Sequence, residues 1–161
     1  MEGPRDALDA SDGGAESVPA CLASMPMDLA SIEGEPPVAI YVNDLRLGYA
    51  RGGAIFLSRP LCELYGWPLC RFVEQHERAH HYMKTVGERS ACAETLADCW
   101  AAMHSDGDAL NAALHYFEGR HEQEQENGYH ADSSVRREVI SHCANLPRRQ
   151  FSEAVLPGGR G

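Results

Sequence analysis

A His-Glu-x-x-His pattern at residues 76–80 constrains this chain of 161 residues more than any other feature. On an α-helix, residues four apart lie on one face, one turn above the other, so His76 and His80 would point in the same direction. Two imidazoles in that arrangement can hold one tetrahedral zinc ion. Glu77 would then be close enough to accept a proton from a water molecule that the site activates.

The flanking sequence predicts an amphipathic helix over about residues 68–86. Gly66-Trp67-Pro68 interrupts the chain before it, and Gly87 is a suitable stop. Apolar positions recur at helical spacing through both histidines, which should therefore point inward. A metal ion would satisfy them there; the alternatives are a hydrogen-bonded core pair or a solvent-facing turn. Arg78, charged within the motif, should point away from the metal.

A second helix, predicted from about Ala91 to His104, carries two acids on one face. Glu94 and Asp98 are four residues apart, and the small alanines of this helix would allow close approach to the first helix. Two histidines and Glu94 would form the His₂Glu ligand set of a catalytic zinc site. Asp98 could accept a hydrogen bond from the far nitrogen of a zinc-binding histidine. The alternative is that both acids are solvated.

The remaining pattern predicts an α+β fold in which a small antiparallel or mixed sheet precedes a mostly helical part with the motif helix at its centre. Strands are expected at 38–42 and 54–58, with 45–51 extended between them. An exposed edge strand could bind the backbone of an extended peptide, or the strands could only build the core. Further helices are expected at 61–65, 109–118 and from Asp132 or Ser133 to about Ala144.

Charge and composition divide the chain into three parts. Residues 1–37 hold eight acids and one arginine of a chain with net charge −10, and we predict a disordered acidic leader. Residues 38–146 form the expected domain, and 147–161 a flexible tail. No segment has the pattern of a signal peptide or of a membrane span, and no basic patch suggests nucleic acid.

Six cysteines permit three disulfides in an oxidising compartment, or they are small buried apolar residues. Cys92 and Cys99, seven apart on a helix, are about 10 Å apart along its axis and too distant to bridge each other. Cys62 and Cys70 could pair across the Gly-Trp-Pro turn. The compartment stays open, with an extracytoplasmic one possible.

Three patterns in this order resemble the glutamate-type zinc metallopeptidases (gluzincins). They are His-Glu-x-x-His at 76–80, Glu-x-x-x-Asp at 94–98 and His-x-x-Ser-x-x-Arg at 130–136. The chain is most similar to the catalytic core of the CAAX-protease-like peptidases and to the neutral zinc metallopeptidases of bacteria. The resemblance covers roughly residues 38–146. Arg78, Ala131 in place of a proline and the short interval between His80 and Glu94 depart from the family pattern.

The resemblance implies a zincin-like fold and a role for each matching residue. His76, His80 and Glu94 would be the zinc ligands and Glu77 the general base. Asp98 would orient a zinc-binding histidine. His130 would lie near the metal and stabilise the oxyanion, and Arg136 would brace that region.

The expected function is therefore hydrolysis of peptide bonds in a peptide or protein substrate by a zinc-activated water. Two alternatives remain, a non-catalytic zinc-binding or interaction module derived from a metallopeptidase and a helical domain without metal. Intact Glu77 argues against the first, because a dead site has no use for that carboxylate.

Overall fold

The computed structural model describes residues 20, 21, 23, 37–44, 46–85, 90–118 and 133–146. These residues contain three strands and five helices: β1 (Val38–Val42), β2 (Gly48–Arg51), β3 (Ala54–Ser58), α1 (Arg59–Tyr65), α2 (Trp67–Tyr82), α3 (Ala91–His104), α4 (Gly107–Tyr116) and α5 (Ser133–Ala144). The predicted α+β class, with a small sheet before a mostly helical part, is confirmed.

The three strands form one mixed sheet in the order β1-β3-β2. β3 is the central strand, parallel to β1 and antiparallel to β2. Its Ile55 and Leu57 are fully buried on the face that meets the helices. Gly48 of β2 pairs with Leu57, and a Cβ at Gly48 would lie 2.5 Å from Cγ1 of Val73. The absence of a side chain at Gly48 therefore lets β2 lie close against α2.

One glycine separates the first two helices. α1 begins after Ser58, whose Oγ accepts a hydrogen bond from the backbone N–H of Leu61, and it ends at Gly66. Gly66 has φ +108°, a conformation that glycine adopts without steric cost. Pro68 then lies in the first turn of α2, where its missing N–H leaves no bond unmade.

α2 ends four residues earlier than the pattern predicts, and the predicted end near residue 86 is wrong. Lys84 adopts the left-handed conformation (φ +60°) that usually selects glycine after a helix. The backbone N–H of Thr85 donates to the carbonyl of His80 (2.8 Å), and that of Lys84 to the carbonyl of His81 (3.2 Å). These two bonds form a Schellman motif, which turns the chain back over the last turn of the helix.

α2 lies at the centre of the helical part, as predicted. It packs against α3, α4, β2 and β3, while α5 packs on α3 and α4. The shared core consists of small and apolar side chains from these helices: Leu69, Phe72, Cys99, Ala101, Ala102, Met103, Ala109, Ala113, Phe117, Val139, Ile140 and Cys143. Many of these side chains are small, which lets the helix axes approach closely.

All six cysteines form disulfides, of which Cys62–Cys70 is the predicted pair. Cys99–Cys143 joins α3 to α5 within the core. Cys21–Cys92 joins a helical residue of the leader to the first turn of α3. Three disulfides in a chain of this size are typical of an oxidising environment.

The boundaries of the predicted domain fall mostly outside the described residues. Of residues 1–37 only four are described, and the predicted tail at 147–161 is not among the described residues; nor is Asp132, one of the two predicted caps of α5. Among the helices that are described, none has both the length and the apolar character required to cross a membrane.

Replacing Cys99 and Cys143 together by alanine should lower the free energy of unfolding by about 4 kcal/mol, because their bond closes a loop of some 45 residues. The Cys62 and Cys70 double variant, which opens a much shorter loop, is the matched control and should lose about 1.4 kcal/mol less. Urea unfolding of both variants measures the difference. An equal or smaller loss of stability for the Cys99 and Cys143 variant would contradict the expected dependence on loop length.

Candidate metal centre

Two histidines of α2 and one glutamate of α3 bring their donor atoms together in the interior. Nε2 of His76 lies 3.1 Å from Oε1 of Glu94, and Nε2 of His80 lies 3.1 Å from Oε2. One ligand atom from each of the three residues lies within 4.8 Å of the others, and all three residues are buried. Ligand atoms that share one tetrahedral zinc ion lie about 3.3 Å apart, so this group could hold a metal ion.

The close approach of α2 and α3 makes this arrangement possible. Ala79 of α2 and Ala97 of α3 are both fully buried and pack in one cluster with Trp100. The side chains on either side of this contact then face each other across a narrow gap. A larger residue at either alanine would separate the helices and withdraw Glu94 from the histidines.

The far nitrogen of His76 meets the second acid of α3. Nδ1 of His76 lies 2.8 Å from Oδ1 of Asp98, which is buried. Arg136 of α5 donates to the same carboxylate from Nε to Oδ2 (2.8 Å) and from its terminal nitrogen to Oδ1 (3.0 Å). Burial raises the pKa of Asp98, but the charges of Arg136 and His76 outweigh it and hold the pKa well below its usual range.

The pKa of His76 reflects the acids around it. Burial acts to lower this pKa, but Asp98, Glu94 and Glu77 act against burial and raise it to about 10. In the metal-free protein at neutral pH, His76 is therefore protonated and can donate to both Asp98 and Glu94. A proton on this ring supplies the positive charge that the three carboxylates require.

Thr85 holds the far nitrogen of His80, a contact that the sequence analysis missed. Its Oγ1 lies 2.9 Å from Nδ1 of His80 and 3.4 Å from the His80 carbonyl oxygen. The hydroxyl can donate to the carbonyl and accept from Nδ1–H. The Schellman turn places Thr85 there; a helix continuing to residue 86 would have carried it elsewhere. The signal that could have revealed it is a threonine just beyond the second histidine of the motif.

The donor set fits a cation. Asp98 and Thr85 can each accept a hydrogen bond from an Nδ1–H, so loss of the Nε2 proton of His76 leaves both Nε2 atoms presenting lone pairs towards Glu94. Two imidazole nitrogens and a carboxylate then face one another as acceptors only, an arrangement that a divalent ion stabilises. Nitrogen and oxygen donors of this kind suit zinc, although other transition metals accept the same set.

The charged residues inside the motif point to different places. Oε2 of Glu77 lies 3.9 Å from Nε2 of His76, and its side chain is 12 % exposed, so this carboxylate borders the donor group. Arg78 instead pairs with Glu74, one turn earlier on α2. Arg78 therefore leaves the donor group unobstructed, as its position predicts.

The remaining predicted residues divide in two. Arg136 reaches the site indirectly through Asp98. His130, expected near the oxyanion, lies outside the described residues. Comparison of the chain with protein-family models, curated proteins and solved structures found no match in any of the three.

Metal affinity should rise with pH, because the metal must displace the proton from His76. With a metal-free pKa of about 10, His76 stays protonated through neutral pH. One displaced proton corresponds to about tenfold tighter zinc binding for each unit between about pH 7 and pH 9. Competition with a chromophoric chelator at each pH measures this slope. A flat profile would show that zinc does not bind at His76.

Thr85→Val should weaken zinc binding by about tenfold or more, because Nδ1 of His80 loses the group that holds its tautomer. The two side chains have nearly the same shape, so the fold should persist. Thr95→Val on α3 is the matched control, since it removes a buried hydroxyl beside Glu94 that has no part in the site. The same chelator competition gives both affinities. Unchanged binding in Thr85→Val would refute the role of this hydroxyl.

Proposed function

We propose that this protein is a zinc-dependent peptidase, with His76, His80 and Glu94 as ligands and Glu77 as the general base. One observation supports this most strongly: both Nε2 atoms face the carboxylate of Glu94, and a separate residue holds each Nδ1 atom. Once the Nε2 proton of His76 is displaced, each ring and Glu94 offer one ligand atom to a shared ion. The Glu77 carboxylate at the border of the group supplies the base that hydrolysis requires.

A zinc ion held by these residues would polarise the scissile carbonyl and lower the pKa of water towards neutrality. The Glu77 carboxylate accepts a proton from the water molecule as the water oxygen attacks the carbonyl carbon. Glu77 then returns that proton to the amide nitrogen as the carbon–nitrogen bond breaks. Asp98 keeps the His76 ring fixed during the reaction, and Arg136 compensates the charge of Asp98.

The substrate backbone has an expected place beside this site. β2 is the edge strand that packs on α2, and its outer side is the edge along which an extended peptide could pair. A strand in that place would run beside the motif helix.

Glu77→Gln should retain zinc and lose peptide hydrolysis by about a hundredfold or more, because the amide cannot accept the proton. Fluorescein-labelled casein and a mixed peptide library read by mass spectrometry report hydrolysis, and elemental analysis reports zinc. Glu74→Gln, which removes an equal charge one turn earlier, is the matched control and should keep both properties. Activity at the unmodified level in Glu77→Gln would refute this mechanism. Bound zinc with no cleavage by the unmodified protein would favour the non-catalytic module.

A further inference from the structure

Large hydrophobic side chains that remain exposed are concentrated in one part of the described chain. Val38, Ile40 and Tyr41 of β1 are 63 %, 39 % and 42 % exposed. The others in the described residues are close by in sequence: Leu64, Tyr65 and Trp67. Contiguous exposed apolar side chains mark interaction surfaces, and Tyr41 and Trp67 of this set are in contact.

The arginines of the described residues fall into two groups, those that pair with a carboxylate and those that do not. Those of the helices after α1 each pair with a carboxylate: Arg71, Arg78, Arg136 and Arg137.

Three arginines on or next to the sheet form no ion pair within the described residues: Arg46, Arg51 and Arg59. Residues 38–66 contain these three arginines and only two acids, whereas the whole chain has a net charge of −10. Residues 38–66 therefore carry a net charge of +1 (three arginines less two acids) in an otherwise acidic chain, and of these arginines Arg59 lies beside Tyr41 of β1.

β1 is an edge strand on the side of β3 that faces away from β2. Within the described residues its outer side pairs with no other strand. Its five residues are Val-Ala-Ile-Tyr-Val, with none of the charges, prolines or bulges that protect exposed edges. Such an edge offers unpaired backbone N–H and C=O groups to an incoming strand.

An aromatic pair and an arginine border this edge on the helix side. Tyr41 aligns with buried Leu57 in the sheet, so both side chains point towards the helices. The rings of Tyr41 and Trp67 meet edge to face at 5.6 Å, and the guanidinium of Arg59 lies 5.7 Å from the Tyr41 ring centroid. Ile40 and Val38 border the same edge on the opposite face of the sheet.

We propose that β1 binds an extended, acidic peptide segment of a partner as a fourth strand of the sheet. Backbone hydrogen bonds along β1 supply the attachment, and alternate side chains supply selectivity. Apolar side chains of the peptide pack beside Val38 and Ile40, while its carboxylates face Arg59. This surface is separate from the metal centre and from β2, so the proposal does not depend on the proposed function.

Two other occupants fit the surface less well. A second copy paired through β1 would bring a second Arg59 to the edge, and β1 itself carries no acid to pair with it. A membrane could accept the aromatic and basic residues, but lipid headgroups do not satisfy a row of backbone groups at strand spacing.

Fluorescence anisotropy with a nine-residue labelled peptide that alternates valine and glutamate tests this proposal. Arg59→Gln should weaken binding by about fivefold, the upper end of the effect of losing one exposed ion pair. Ile40→Glu should abolish it by placing a charge where the apolar side chains of the peptide pack. Arg51→Gln on β2 is the matched control and should change affinity less than about twofold. All three positions are at least partly exposed, so the fold should persist, and circular dichroism verifies this.

Binding should be equal in zinc and in EDTA, and the same peptide with lysine in place of glutamate should not bind. Loss of binding in EDTA would place the peptide at the metal centre and overturn the proposal. Equal binding of the lysine peptide would also overturn it. So would binding to phosphatidylserine vesicles without binding to the peptide, or a dimer in sedimentation that Ile40→Glu dissociates.

Discussion

The arrangement of the helices depends on the ion pairs that the buried carboxylate of Asp98 makes with His76 and Arg136. An ionised carboxylate in the interior is strongly destabilising unless charged partners satisfy it. Here His76 of α2 and Arg136 of α5 both contact it, so one side chain of α3 links three helices. Moving α2 or α5 would remove one of the two charged partners of this buried carboxylate. The same contacts orient the His76 ring, so what stabilises the fold also shapes the donor group.

One disulfide reinforces the contact between α3 and α5. Cys99 follows Asp98 directly, and its bond to Cys143 connects α3 to the helix that carries Arg136. The ion pair and the disulfide therefore hold α3 and α5 at two separate points. Cys21–Cys92 attaches the leader two residues before Glu94. This brings a part of the chain that is distant in sequence to the start of the helix that completes the donor group.

Local pattern predicted much of this structure, and its limits have identifiable causes. The strands at 38–42 and 54–58 and the helix at 91–104 follow from local composition and spacing. The order of the strands depends on pairing between distant segments, which no local signal contains. Lys84 hid the end of α2, because a left-handed residue there is usually glycine. Because the predicted helix extended past Thr85, the contact of Thr85 with His80 was not predicted. That contact forms only because the helix ends before Thr85.

For the disulfides and for the donor group, too, local sequence predicted only the contacts between residues close in the chain. Cys62 and Cys70 border one turn, so their pairing was foreseeable, whereas six cysteines allow 15 connectivities and spacing does not choose among the rest. Glu94 and Asp98 were foreseeable because helical spacing puts both on one face. That Arg136 contacts both oxygens of Asp98 was not, since it depends on how α5 packs.

The metal ligands can be tested most directly by X-ray absorption at the zinc edge of the zinc-loaded protein with its disulfides intact. Two imidazole nitrogens and a carboxylate oxygen are expected at about 2.0–2.1 Å from the zinc ion, with no sulfur near about 2.3 Å. Sulfur in the coordination shell, or fewer than two imidazoles, would contradict it.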